Sequence, residues 1–124
     1  MYLTHNETGN PVAMFVDAHE NITMLYTILD ERMFSDTVFR AVRLNSLMFV
    51  LYDIRHMNGS AVYEKYNYEQ RMSKIKDILA NFHHPDLVSL VTPDEVSEYA
   101  YPIRGYEYYD EKPGSMGVFL PAVQ

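Results

Sequence analysis

The hydrophobic pattern divides the chain into a helix-patterned body and a differently built C-terminal stretch beginning at Pro102. Thr8-Gly9-Asn10-Pro11 is turn chemistry, and the short apolar run Val12 to Val16 behind it has the length of a buried strand. From Ile22 the positions Ile22, Leu25, Tyr26, Leu29 and Met33 keep helical spacing behind an Asn21 cap. β-Branched residues between Ile22 and Ile28 also suit a hairpin, but the spacing favours the helix. Ser35 or Asp36 can cap a second helix, since neither Pro nor Gly interrupts the chain before Gly59. Within it, Leu47-Met48-Phe49-Val50-Leu51-Tyr52 is apolar on every side of a helical wheel, which predicts a central, covered element; a buried strand is the competing reading.

Asn58-Gly59-Ser60 reads as a turn, and Ala61 to His84 carries the clearest helical pattern. Tyr68, Met72, Ile75, Leu79 and Phe82 form its apolar seam, with Glu64, Glu69, Arg71, Lys74, Lys76 and Asp77 mostly off it as a solvated face. A short turn between this helix and the one before predicts an antiparallel pair. Pro85 ends the helix, and Thr92-Pro93-Asp94-Glu95 opens another with a cap, a first-turn proline and a capping-box glutamate. The expected fold is α+β but predominantly α-helical: about four helices around a central antiparallel helical hairpin, with minor short strands. Residues 1–101 form the core and 102–124 an extended Tyr-, Pro- and Gly-rich arm. Leu47, Phe49, Val50, Leu51, Ile75 and Leu79 are the expected core residues.

Composition narrows the function. At 124 residues with 48% hydrophobic content, the chain can bury a single core, and disorder throughout is disfavoured. It has no cysteine, hence no disulfide, thiolate nucleophile or Cys-ligated zinc, which fits a reducing compartment. Its start lacks the basic and apolar regions of a secretion signal, and no apolar run reaches the roughly 18 residues of a membrane span, so a soluble, cytoplasmic protein is expected. Asn6, Asn21 and Asn58 head Asn-x-Ser/Thr triplets, which here read as turn and cap residues. A formal charge of −7 argues against a nucleic-acid partner, whose affinity comes from neutralised phosphates.

Candidate chemistry is sparse. His83 and His84 with Asp86 resemble a metal or acid/base cluster, but adjacent side chains diverge by about 100° on a helix, and helix-end histidines have a structural role as partners of the last carbonyls. His19 and Glu20 beside Asp17, and Asp53 with His56, join carboxylate to imidazole, and folding could bring Glu31 or Asp36 to them. No Gly-x-Ser-x-Gly, phosphate loop or His-Glu-x-x-His is present, and no motif names a cofactor or a metal.

The strongest functional signal is the segment holding Tyr99, Tyr101, Tyr106, Glu107, Tyr108, Tyr109, Asp110 and Glu111, followed by an apolar end that includes Phe119 and Leu120. Tyr provides rigid contact area with a polar tip, and acidic neighbours steer it toward a basic partner. These residues are the expected partner-binding set. The chain reads as a non-enzymatic protein-interaction module, of the kind found among phage inhibitors and virion accessory proteins, with room for a homo-oligomer. A small metal-dependent or acid/base enzyme using His19, Glu20, Asp53, His56, His83, His84 and Asp86 is the alternative, and a structural subunit of a larger assembly is another. The arm beyond Tyr101 is expected to be dispensable for folding.

Overall fold

The computed structural model describes residues 1–25, 29–45, 47–83, 89–96 and 105–121 of the chain. Six strands, β1 (Tyr2–His5), β2 (Pro11–Val16), β3 (Ile22–Leu25), β4 (Thr37–Asn45), β5 (Met48–His56) and β6 (Ser89–Val91), form one sheet in the order β3-β2-β1-β4-β5-β6. Neighbours run antiparallel except β5 and β6, which are parallel and joined through the helices α1 (Val62–Lys65) and α2 (Tyr68–Phe82). A short helix α3 (Pro93–Val96) follows β6, and β7 (Gly105–Tyr108) pairs with β8 (Val118–Pro121) as a separate antiparallel hairpin.

The architecture is mostly β, which corrects the helical expectation. The segment expected as a helix from Ser35 to Gly59 is the long β4–β5 pair, which takes the place of the first helix of the expected antiparallel helical hairpin. The reason lies in the register. Pairing of Arg40 with Asp53 and Ala41 with Leu51 makes Tyr52 an extra residue, and Arg55 and Leu44 are likewise unmatched where the register shifts. Each bulge breaks the period of two that marks a strand, so adjacent positions are buried together and the run looks apolar on all sides. Phe49, Val50, Leu51, Asp53 and Ile54 are all buried, whereas Leu47, expected in the core, sits at the β4–β5 turn and is 59% exposed.

The Ile22 to Met33 segment also departs from its expected helix. It holds β3 and, after residues outside the described set, a 3-10 turn at Glu31–Met33. Ile22 and Met24 face outward while Leu25 is buried, so the helical spacing of Ile22, Leu25, Leu29 and Met33 was fortuitous. The strand expected from Val12 to Val16 is present as β2.

Helix α2 is shorter than the predicted Ala61 to His84 span because Tyr66 is extended and Asn67 starts a new helix. The Asn67 carboxamide accepts from Gln70 N–H at 2.9 Å while Gln70 Oε1 accepts from Asn67 N–H at 3.1 Å, satisfying donors that a helix start leaves open. Of the expected seam Ile75 is fully buried, and the core stripe runs through it with Arg71 and Ile78, while Met72, Leu79 and Phe82 pack at the rim. Ile75 and Ile78 share one buried cluster with Leu3, Phe39, Phe49, Leu51 and Ile54 of the sheet, and each fully buried side chain of this size contributes roughly 1.5–3 kcal/mol. At α3 the capping signal is realised: Glu95 Oε1 accepts from both the N–H and the hydroxyl of Thr92. Among the described residues no helix is long and apolar enough to cross a membrane.

Candidate functional site

The described part of the C-terminal stretch is the β7–β8 hairpin, and it is held by a cation in the protein interior. Arg71 and Asp53 are 0% and 1% exposed, so their charges have no water to solvate them. Compensation comes from geometry. Arg71 Nε donates to Asp53 Oδ1 at 2.8 Å and Nη2 reaches Oδ2 at 3.4 Å, a two-point match of guanidinium to carboxylate. Nη1 donates to the carbonyls of Tyr66 at 2.8 Å and Tyr63 at 3.4 Å, and Nη2 to the carbonyl of Ser115 at 2.9 Å. Asp53 Oδ1 also accepts from Ile54 N–H. Tyr63, Tyr68 and Tyr109 wall the cation, their ring centres 4.8, 5.7 and 6.0 Å from the guanidinium carbon.

Ser115 lies between β7 and β8, so its bond to Arg71 ties the hairpin to the core. Three further contacts reinforce it. Gly114, at φ 72 where glycine alone is unstrained, donates its N–H to Tyr63 O at 2.9 Å. Tyr109 stacks on Tyr68 with ring centres 3.7 Å apart and planes 8° from parallel. Glu107 accepts from the Tyr109 hydroxyl at 2.5 Å and meets Arg40 at 3.4 Å, while the Arg40 guanidinium covers the Tyr52 ring.

Burial, the bond to the Glu107 carboxylate and that carboxylate's charge push the Tyr109 phenol well above the usual tyrosine range. Tyr68 is pushed up to about 12, chiefly by burial, with the Asp53 and Glu107 charges adding to it. Both phenols are therefore neutral donors at any physiological pH.

The other face of the hairpin is bare. Tyr106 pairs with Leu120 and Tyr108 with Val118, and strand alternation puts these four side chains on the face opposite Glu107. They are 57%, 52%, 57% and 61% exposed respectively; Met116 is exposed in the loop, and Phe119, also exposed, pairs with Glu107 on the other face. The expected binding set is thus split by the fold. Tyr106, Tyr108 and Leu120 are exposed on the outward face, Phe119 is exposed on the Glu107 face, Asp110 and Glu111 are exposed in the loop, and Glu107 and Tyr109 are turned inward as anchors. Tyr99 and Tyr101 lie outside the described residues.

Among the described histidines and carboxylates of the alternative reading, Asp36 comes within electrostatic reach of His56, with His5 also near, but no three gather into one cluster. His19 and Glu20 occupy the β2–β3 turn, where Asp17 accepts from the N–H groups of His19 and Asn21. Asp36 is engaged by the hydroxyls of Tyr2 and Thr4, which holds its carboxyl below the usual range, first through the Tyr2 bond. Asp53 belongs to Arg71, His56 is exposed at the end of β5, and His83 Nε2 accepts from Leu90 N–H. The side chain of Glu31 and residues His84 and Asp86 lie outside the described set. Among the described residues no three His, Asp or Glu side chains are placed to hold one metal ion.

Sequence reasoning missed Arg71, which sits in a run of charges that reads as a solvated face. Its one local sign is position: Arg71 stands four residues before Ile75, on the same side of α2. Comparison with family models, curated proteins and solved structures finds no match for this chain.

Proposed function

We propose that the protein is a non-enzymatic protein-binding module that presents the outward face of the β7–β8 hairpin to a partner. The observation that carries this reading is the sidedness of the hairpin. One face is fastened through Glu107, Tyr109 and Ser115 to Arg40, Tyr68 and the buried Arg71, while the other displays Tyr106, Tyr108, Val118 and Leu120 to solvent. A two-stranded hairpin by itself is marginal in water, so the anchoring pre-orders a surface that a free arm would have to order on binding. Tyrosines beside aliphatic groups are the composition of interface anchors. Exposed Asp110 and Glu111 at the adjoining loop favour a partner with an apolar cleft edged by Lys or Arg. Absence of cysteine suits action in the reducing cytoplasm.

The test is a paired capture from host extract with the wild-type chain and a Tyr106→Ser/Tyr108→Ser variant, followed by affinity measurement on the purified captured protein. A partner retained by the wild type should bind the variant more weakly by about 1–4 kcal/mol, the span of interface anchors. Equal affinity for the two chains, with both folded, removes the hairpin face from the interface.

A further inference from the structure

We propose that the chain forms a homodimer by antiparallel pairing of β3 with β3 of a second copy, centred on Thr23. Among the described residues β3 is the terminal strand of the sheet, with β2 on one side only. Edge strands are normally blunted by Lys, Pro, a bulge or extreme shortness. Ile22-Thr23-Met24-Leu25 carries no charge and no proline, and it follows β2 through four successive pairs without a register shift. At the opposite end, β6 has only three residues.

The backbone groups available at this edge follow from the turn. Asp17 N–H donates to Asn21 O at 3.1 Å, so residues 17 and 21 are a hydrogen-bonded pair. Alternation along an antiparallel ladder makes Phe15 and Thr23 the next such pair and leaves Val16–Ile22 and Met14–Met24 non-bonded. The N–H and C=O groups of Ile22 and Met24 therefore point away from β2, toward the open edge.

Side-chain parity then restricts the register, and Thr23 on the axis is the choice that pairs Ile22, Thr23 and Met24 only with one another. Ile22 and Met24 stand on the outer face and Leu25 on the core face, so a partner strand that continues the sheet must set outer residues against outer residues. With Ile22 on the two-fold axis, Met24 would oppose Glu20, whose φ of 65 takes it out of the strand. With Thr23 on the axis, Ile22 of each copy opposes Met24 of the other as a doubly bonded pair, and the two Thr23 residues meet as a close non-bonded pair. The backbone and the outer side chains of the strand are self-complementary in that register, which is why the occupant is a second copy; Arg43, whose Nη1 donates to Thr23 Oγ1 at 3.4 Å, approaches from the Thr23 side. Ile22, Met24 and the neighbouring Val16, exposed at 62%, 44% and 49%, line this corner and gain cover from the same residues of the mate.

Opposed Thr23 residues in a non-bonded pair have Cα atoms about 4.5 Å apart, inside the range of a disulfide. The chain has no cysteine of its own, so single-cysteine variants report without background. Thr23→Cys should cross-link between copies on mild oxidation at least tenfold faster than Ser73→Cys on the exposed face of α2. Sedimentation equilibrium of the wild type should give twice 14.5 kDa. Met24→Pro removes only an N–H that faces the open edge, a place where proline is tolerated, and should return a monomer with unchanged circular dichroism. Should that variant unfold, Met24→Lys gives the same reading by adding an edge charge. A wild type that stays monomeric to its solubility limit overturns the proposal. So does a dimer that survives Met24→Lys, or a Thr23→Cys variant that cross-links no faster than the α2 control. None of these outcomes depends on the hairpin.

Discussion

Replacing Asp53 by Asn keeps the size of the side chain and removes its charge, leaving the Arg71 guanidinium 0% exposed without its Asp53 counterion. Removing one member of a buried ion pair typically costs about 3–5 kcal/mol, because the remaining charge stays desolvated. The lower half of that range applies here. Carbonyls of Tyr66, Tyr63 and Ser115 and the ring of Tyr63 still surround the cation, and a nearby aromatic face is worth about 0.5–2 kcal/mol. The amide cannot match both former bonds: its oxygen can accept from Nε, but its NH2 then faces the Nη2 donor. A loss of about 3 kcal/mol is expected from a total of roughly 5–15 kcal/mol. Urea unfolding followed by circular dichroism should show a midpoint lower by about 1–3 M at constant slope. Because Arg71 also holds Ser115, the hairpin should loosen together with the core. Amide exchange at Gly114, whose N–H is bonded to Tyr63 O, should accelerate in the variant. A loss below about 1 kcal/mol, or unchanged Gly114 exchange in a clearly destabilised variant, would refute the claim that this pair anchors the hairpin.

Leu51→Ala should destabilise by about 2–5 kcal/mol because Leu51 is wholly buried, whereas Leu79→Ala, at the rim, should cost less than half as much; equal losses in denaturant titrations would show the core centre to be misplaced. Truncation after Tyr101 should keep the six-stranded sheet but lose roughly 2–4 kcal/mol, the sum of a charge-assisted bond from Arg71 to Ser115 and the Tyr68–Tyr109 stack; an unchanged melting curve would contradict the anchoring. In the chain with a free amine at Met1, burial lowers that amine from 8.0 to about 6, and its N–H donates to Phe39 O. The fold thus prefers the neutral amine, the unfolded chain binds more protons in that window, and stability rises from pH 6 to pH 8 by about 2 kcal/mol, an increment that N-acetylation should abolish.

Local chemistry by itself determined several elements. The apolar run after Thr8-Gly9-Asn10-Pro11 is β2, the Asn58-Gly59 turn has both residues at positive φ, most of α2 was visible as a helical seam, and Thr92 with Glu95 marked the start of α3. Each depends on residues within a few positions of one another, so its signal survives in one dimension. The β4–β5 pair was only partly legible: a buried strand was the competing reading of Leu47 to Tyr52 and is realised in β5, but Leu44, Tyr52 and Arg55 interrupt the alternation that identifies strands, and bulges are specified by the partner strand's register. For 22–25, helical spacing competed with strand propensity, and pairing of Ile22 to Leu25 with β2 decided the outcome. The candidate site was half visible: Tyr106, Tyr108, Phe119 and Leu120 stand out by composition, but which tyrosines face solvent follows from what the hairpin docks on. That docking was decided by tertiary structure alone. Arg71 is 18 residues from Asp53 and 44 from Ser115, and only the packing of α2 against β5 takes the guanidinium out of water and makes those acceptors obligatory.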